Sequence, residues 1–469
     1  MHTSTTSTVD LVPWTATQLA QATAGYWLND KMPSGEIKRI LTNSKDAEQG
    51  DAFLALKGER FDAHDFVAKL AEQGCQIAIV QRPLDLDIFQ LVVPDTRLAL
   101  GQLGKFRRAQ YPDLKVIALT GSSGKTTTKE MLGSIFSRLA PTLITRGNLN
   151  NDLGVPMMLL ELNPQHQYAV MELGASHQGE IDYTSELVQP HVVGILNIGT
   201  AHLGEFGGRE GICCAKSEIY THVATSGTSI FPADDDFTET IQAHIQTQNQ
   251  LSFGENGNVF ATDIQLHPQS SQFILNTPQG RKAVDLPFAG EHNIQNALAA
   301  TAFALALDIS LEDIVTGLEQ AVGAKGRLNF IHHQNYLFID DTYNANPTSM
   351  RAAAQVLAQQ QGICVMVIGD IGELGATAAQ QHYMLGRDLV SVHGIDFVVA
   401  VGEFAPATQE GARSTQYGKK MQAFLTQAQA LPLLLELVKT HQPQSMSFLF
   451  KGSRYTHMET LLTELMENI

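Results

Sequence analysis

The sequence predicts an α/β protein of several domains, built around mostly parallel sheets. Three observations carry that expectation. The chain has 469 residues, and at roughly 100–200 residues per domain this length implies about three domains. Apolar, strand-like runs alternate with helical patterns along the chain, as in doubly wound sheets. A glycine-rich turn ending in Lys-Thr, Thr120-Gly-Ser-Ser-Gly-Lys-Thr126, falls between one such run and an amphipathic helix.

Taken in order, residues 51–56 and 76–80 read as strands and 65–73 as the helix between them. A helix over 98–109 leads out of this unit, and Tyr111-Pro-Asp113 breaks regular structure as a linker. A second unit opens with the strand 115–120. The helix after it carries Met131, Ile135 and Leu139 at a spacing of four, and Pro141 ends it. Strands follow at 168–173 and 192–198. Residues 251–289 differ: short strands around Thr277-Pro-Gln-Gly280 predict a small antiparallel insertion. A third unit begins near Lys325, with strands at 336–340, 363–368, 397–401 and 446–450 between Ala-, Gln- and Leu-rich helices.

Composition narrows the function classes. The formal net charge is −17, a field that repels phosphate backbones and argues against nucleic-acid binding. Hydrophobic residues make up 43%, too many for a disordered chain. No apolar run approaches the roughly 20 residues that span a bilayer. The longest candidate, residues 431–438, contains Pro432 and Glu436. The N-terminus has neither a basic start nor an apolar core, so no secretory signal is expected. Four cysteines, Cys75, Cys213, Cys214 and Cys364, form no CxxC pair. A cytoplasmic protein with reduced thiols is the expectation.

The glycine-rich turn is a phosphate loop. Its glycines let backbone N–H groups turn onto phosphate oxygens, and the following helix adds positive charge at its N-terminus. Thr120, Gly121, Ser122, Ser123, Gly124 and Thr127 frame Lys125, which reaches the β- and γ-phosphates, and Thr126, whose hydroxyl suits Mg²⁺. Position 119 is Leu, so the loop is a shortened variant of the common pattern. The bland alternative is a chance Gly/Ser turn before a helix.

Glu172 closes an apolar strand in Val170-Met-Glu-Leu-Gly174, where ligands of open α/β sheets gather, and a carboxylate there suits a hard cation. Read alone, it fits a helix-capping acid equally well. His202 follows the next strand, and a lone histidine is more often structural. Lys216 lies on or beside the apolar side of a helix over 210–223. A buried lysine is readily neutralised or modified, whereas a snorkelling one only reaches water.

Together these motifs resemble the Mur ligases, ATP-dependent amide-forming enzymes of peptidoglycan synthesis, over nearly the whole chain. The resemblance rests on the phosphate loop, Gly147-Asn-Leu-Asn-Asn-Asp-Leu-Gly-Val-Pro156, Met171-Glu-Leu-Gly174, and Ala201-His202 with Lys216-Ser-Glu218. It rests also on Gly290-Glu-His-Asn-Ile-Gln-Asn-Ala297, Asp340-Asp-Thr-Tyr-Asn-Ala-Asn-Pro347 and Gly369-Asp-Ile-Gly-Glu-Leu-Gly375. The Asp340–Pro347 segment points to the branch that adds D-alanyl-D-alanine to UDP-N-acetylmuramoyl-tripeptide.

The resemblance implies a UDP-binding α/β domain over 1–112, a P-loop ATPase with a mostly parallel sheet over 113–324, and a Rossmann-like domain over 325–469. It implies ATP and two Mg²⁺ as cofactors, small-molecule substrates and a monomer. Thr126, Glu172, His202 and a carbamylated Lys216 would hold metal. The same set, with Lys125 in place of Thr126, would carry catalysis. Asn293 and Asn296 correspond to adenine contacts, and Arg327 and Asp341 to phosphate and ribose contacts. Asn148, Asn150 and Asn151 fall on the substrate side, and Asn344 and Asn346 face the incoming dipeptide. Two local readings stand beside these. Asn293 fits an N-cap of the Ala-rich helix after it, and Asn346 before Pro347 fits a helix start.

The N-terminal match is looser. Thr42-Asn-Ser-Lys45 stands where the family shows Asp-Ser-Arg, and Asp62-Ala-His64 where it shows Asp-Gly-His. Ser44 and Lys45 are carried over as contacts to the UDP end, with Lys45 offering a point charge in place of a planar fork. Rival readings are another Mur-type or folylpolyglutamate-type ligase, a P-loop kinase, and a nucleotide switch. The switch lacks an Asn-Lys-x-Asp guanine motif. Gly369-x-x-Gly372-x-x-Gly375 is not GxGxxG, so no dinucleotide cofactor is expected.

Overall fold

Four sheets organise the chain. The computed structural model describes residues 11–58, 61–200 and 203–469. The first sheet runs, in spatial order, Tyr26–Trp27, Phe89–Val92, Ile77–Val80, Ala52–Leu54 and Ile40–Leu41. Only the Tyr26–Trp27 edge is antiparallel. The second is parallel throughout: Asn249–Phe253, Thr228–Pro232, Val192–Ile195, Lys115–Thr120, Tyr168–Glu172 and Thr142–Ile144. Beside it stands an antiparallel three-stranded sheet of Phe260–Leu266, Ser271–Thr277 and Gly280–Leu286. The last sheet runs Asn329–His333, Tyr336–Asp341, Met446–Lys451, Ile363–Gly369, Phe397–Val401 and Met421–Phe424. It is parallel except at its Asn329–His333 edge.

The alternation of side chains decides which helices cover which face. In Lys115–Thr120, Ile117 and Leu119 join Met131, Leu132, Ile135 and Phe136 of the helix Lys125–Ser137. Val116 and Ala118 point the other way, onto Val155, Met158 and Leu159. All are fully buried, and each such large aliphatic contributes about 1.5–3 kcal/mol relative to exposure. A strand sandwiched on both faces must be apolar at successive positions, which is why it was visible as a run.

The helix Thr96–Ala109 ties the first sheet to the second. A Cβ at Gly104 would come within 2.9 Å of Pro156 Cα, so only glycine admits that approach. Arg108, buried, donates to the carbonyls of Val188 and Gln189 at 3.0 and 3.2 Å.

Two expectations shift. Asn249–Phe253, placed near the antiparallel insertion by its sequence, pairs in parallel with Thr228–Pro232 and extends the second sheet. The helix after the phosphate loop ends at Ser137, leaving Leu139 outside it and partly exposed. Residues 431–438 lie inside the helix Gln427–His441, with Pro432 in its first turns. Among the described residues no helix is long and apolar enough to cross a membrane.

Candidate active site

The phosphate loop leaves the Lys115–Thr120 strand and turns into its helix at Gly124, whose φ of +81° is the left-handed region. A Cβ there would run into Asn296 Oδ1. The loop is pinned from the neighbouring strand. Asn197 accepts from Ser123 N–H through its side-chain oxygen and donates from Nδ2 to Ser123 O, both at 3.0 Å. Ser122 Oγ accepts from Gly199 N–H at 2.9 Å. Lys125 Nζ donates to Gly121 O at 2.7 Å, folded back over its own loop. Burial lowers the Lys125 pKa and Arg327 adds to that, while the carboxylates of Glu172 and Glu373 oppose it.

Glu172 is only 2% exposed. Its carboxylate accepts from Thr126 Oγ1 at 3.2 Å and from Asn150 Nδ2 at 2.7 Å, and its own N–H donates to Thr145 Oγ1 at 3.0 Å. It caps no helix: it lies at the end of the Tyr168–Glu172 strand, facing the phosphate loop. The alcohol and carboxylate form a hard oxygen pair at the helix N-terminus, a donor set that fits Mg²⁺.

Asn293 is not an N-cap. Gly290 precedes the helix Glu291–Leu305, and Asn293 sits within its first turn, donating to Ala289 O at 2.8 Å. Asn296 donates to Asn293 Oδ1 at 3.0 Å, so the two amides present one polar face beside the loop.

The last domain closes the cavity from the other side. Asp341 accepts from Lys451 Nζ at 2.6 Å, a buried pair, and Lys451 also donates to Asn344 O at 3.0 Å. The Arg327 guanidinium lies 4.4 Å from the Tyr343 ring centroid, and its Nε is buried without an acceptor among the described residues. Asn346 caps the helix Pro347–Leu357 in a reciprocal capping box with Ser349. Its Nδ2 also donates to Ser123 Oγ at 2.9 Å, so one side chain starts a helix and touches the phosphate loop.

These parts enclose one cavity of about 970 Å³. Ser122 to Thr127, Asn148, Asn150, Asn151, Glu172, Asn293 and Asn296 line it from the central region. Arg327, Asp341, Asn344 and Asn346 line it from the last domain. Thr120 and Gly121 lie beneath, in the strand end and the turn. Ser44 and Lys45 do not reach the cavity wall: they start the short helix Ser44–Asp46 of the first sheet's domain. His202 lies outside the described residues. Lys216, in the helix Arg209–Ser217, is 2% exposed and stands behind the wall. Burial pushes its pKa well below the usual lysine value, and nearby Lys125 adds to the shift. It has no hydrogen-bond partner among the described residues. The shift favours the neutral amine, the form that acts as a nucleophile toward CO₂.

Comparison with known proteins settles the family. The description "Mur ligase family, catalytic domain" matches residues 36–110, "Mur ligase middle domain" 119–304, and "Mur ligase, glutamate ligase domain" 326–454. The chain belongs to the Mur ligase family. It is 41% identical over 447 residues to the UDP-N-acetylmuramoyl-tripeptide–D-alanyl-D-alanine ligase of Escherichia coli K12, covering 94% of this chain and 97% of that one. The enzyme of that name from Haemophilus influenzae is 36% identical, with 98% and 100% covered. A crystal structure of MurF from Acinetobacter baumannii superposes with a TM-score of 0.95 at 71% identity, covering 98% of this chain and all of that one. MurF ligase from Thermotoga maritima, solved in complex with ADP, gives 0.82 at 27% identity, covering 92% and 97%.

Among the residues that line the cavity, Asn197 and Lys451 were missed by a reading of sequence alone. Lys451 was within reach, because it ends an apolar strand just as Glu172 does. Asn197 carried no signal beyond its place after a strand.

Proposed function

We propose that this Mur ligase uses ATP to join D-alanyl-D-alanine to UDP-N-acetylmuramoyl-tripeptide, as a cytoplasmic monomer in peptidoglycan precursor synthesis. One observation supports it most. Lys125, Thr126 and Glu172 share a single cavity with Asn344 and Asn346 of the last domain, so a phosphoryl donor and an incoming amine can meet there. We take the domains as 1–112, 113–324 and 325–469, with Ser44 and Lys45 serving the UDP end of the substrate.

A carboxylate is a poor electrophile, so amide formation begins with activation. The tripeptide carboxylate attacks the γ-phosphorus of ATP, giving an acyl phosphate and ADP. The dipeptide amine then attacks the acyl carbon, and the tetrahedral intermediate expels phosphate. The reacting groups carry several negative charges. Lys125 and the loop N–H groups neutralise them where they meet, and the Asn197 clasp holds those donors in place beforehand. Asn293 and Asn296 offer amides to adenine; Arg327 and Asp341 take phosphate and ribose.

Thr126 and Glu172, with His202 and a carbamate on Lys216, would hold two Mg²⁺, which when bound supply charge neutralisation to the phosphates. The carbamate forms when the neutral Lys216 amine adds to CO₂ and releases a proton. That turns a cation into the anion a metal site needs.

Phosphate release tests the reading. With ATP and UDP-N-acetylmuramoyl-tripeptide, sustained release is expected only when D-alanyl-D-alanine is added. Turnover indifferent to the dipeptide contradicts it, and phosphorylation of a stable acceptor without free phosphate would make the protein a kinase.

A further inference from the structure

We propose that Lys129 and Thr145 are positioning residues, which hold Glu172 in the register where its carboxylate meets Thr126. The inference deepens the ligase reading above and rests on it for the role of Glu172. Lys129 is three residues after Thr126 in the helix Lys125–Ser137, so the two side chains leave the same face. Thr126 Oγ1 donates to the Glu172 carboxylate at 3.2 Å. One turn on, Lys129 Nζ donates to the Thr145 carbonyl at 2.8 Å. The Thr145 hydroxyl accepts from Glu172 N–H at 3.0 Å and donates to Val170 O at 3.4 Å. Glu172 is therefore tied to one helix twice, directly at its carboxylate and through Thr145 at its backbone.

The ring reaches further along the cavity wall. Thr145 follows the strand Thr142–Ile144 and opens the segment that carries Asn148, Asn150 and Asn151 to the cavity. Its own N–H donates to Val170 O at 3.0 Å. From the same segment, Asn150 Nδ2 donates to the other Glu172 oxygen at 2.7 Å, and Asn150 O accepts from Gly174 N–H at 2.7 Å. Both carboxylate oxygens and the N–H of Glu172 thus bond to this segment or to the phosphate-loop helix. Lys129 joins the start of the segment to that helix.

Burial makes the lysine informative. Lys129 is 2% exposed, and Thr145 is buried with it. A cation is costly to take out of water, and an apolar side chain would fill the same space without that cost. Glu130 balances the charge, 2.6 Å from Nζ, while the bond to Thr145 O fixes a point on the backbone. That point needs fixing. Thr142–Ile144 is an edge strand, paired only with Tyr168–Glu172, so the sheet holds its end from one side alone.

Mn²⁺ affinity of the full-length enzyme–ADP complex, read by electron paramagnetic resonance, tests the ring, with Mn²⁺ standing in for Mg²⁺ on hard oxygen ligands. Thr145→Val keeps the shape and the backbone carbonyl but removes the hydroxyl. It is expected to weaken Mn²⁺ binding about tenfold, the loss typical when a group that orients a metal ligand is removed. Thr145→Ser retains the hydroxyl and should stay within about threefold of the parent. Lys129→Met fills the space without a donor and should lose about tenfold. In all three, ADP affinity without metal and the KM for D-alanyl-D-alanine should remain within about twofold. Unchanged Mn²⁺ affinity in Thr145→Val, an equal loss in Thr145→Ser, or no Mn²⁺ binding by the parent would overturn the proposal. A Lys129→Met chain that fails to fold would assign the lysine to the fold and overturn its part, leaving the Thr145 pair to decide on the hydroxyl. The binding measurement uses neither tripeptide nor dipeptide. A parent enzyme that binds Mn²⁺ but does not use the dipeptide would therefore count against the ligase reading instead.

Discussion

Lys125→Ala is expected to lower turnover about 10³-fold while leaving the protein folded, because a preorganised donor aimed at developing charge is worth that much. In the structure Nζ rests on Gly121 O, 2.7 Å away, over the loop that would surround the phosphates. Nothing else in the loop supplies a formal positive charge. The fold does not depend on it. Lys125 begins its helix, where the peptide dipoles disfavour a cation, and burial already lowers its pKa. Thermal melting of the variant should therefore match or exceed that of the parent. A variant with near-parent kcat would remove Lys125 from the chemistry, and one that melts much lower would make it a structural residue.

Lys216 carries the second large effect. Lys216→Met keeps the length of the side chain and removes the amine, so the core stays filled while the carbamate cannot form. Activity should fall at least about 10²-fold with little loss of stability. Lys216→Ala should fall as far but regain activity with added formate or bicarbonate, which offer a carboxylate in the space vacated. Carbamate formation releases a proton and needs the neutral amine, so at a fixed concentration of dissolved CO₂ the activation of the CO₂-depleted parent enzyme should grow as pH rises. Unchanged activity in both variants would eliminate the carbamate. The burial of Lys216 behind the wall, beside Lys125 and without a hydrogen-bond partner among the described residues, is the reason to expect a modified form.

How much of this was legible in the sequence follows from where each piece is encoded. Strands buried on both faces, such as Lys115–Thr120 and Ile363–Gly369, were readable as unbroken apolar runs. Edge strands were not. Thr142–Ile144 and Met421–Phe424 are short and partly exposed, so their patterns resemble loop. Asn249–Phe253 begins with two exposed polar residues, and its parallel pairing shows only when Thr228–Pro232 is beside it.

The site divides in the same way. The phosphate loop is local and carries its mechanism in consecutive residues, and Glu172 follows from its position at a strand end. The cavity itself joins distant segments: Asn346 and Ser123 touch across 223 residues of chain. Asn346 shows why the local and functional readings did not compete, since its oxygen caps a helix while its nitrogen reaches the loop. The charge balance of −17 describes the solvated surface. Lys125, Arg327 and Lys451, gathered at the cavity, supply the positive charge that anionic ligands require.

The central claim is that the carboxylate of one substrate is activated by direct phosphoryl transfer before the amine attacks. Tripeptide labelled with ¹⁸O in its reacting carboxylate tests this directly, with mass analysis of the phosphate released. One ¹⁸O per phosphate is the predicted result, because the oxygen bridging acyl carbon and phosphorus departs with phosphorus. Phosphate free of label, formed at the same rate as the peptide, would contradict the account.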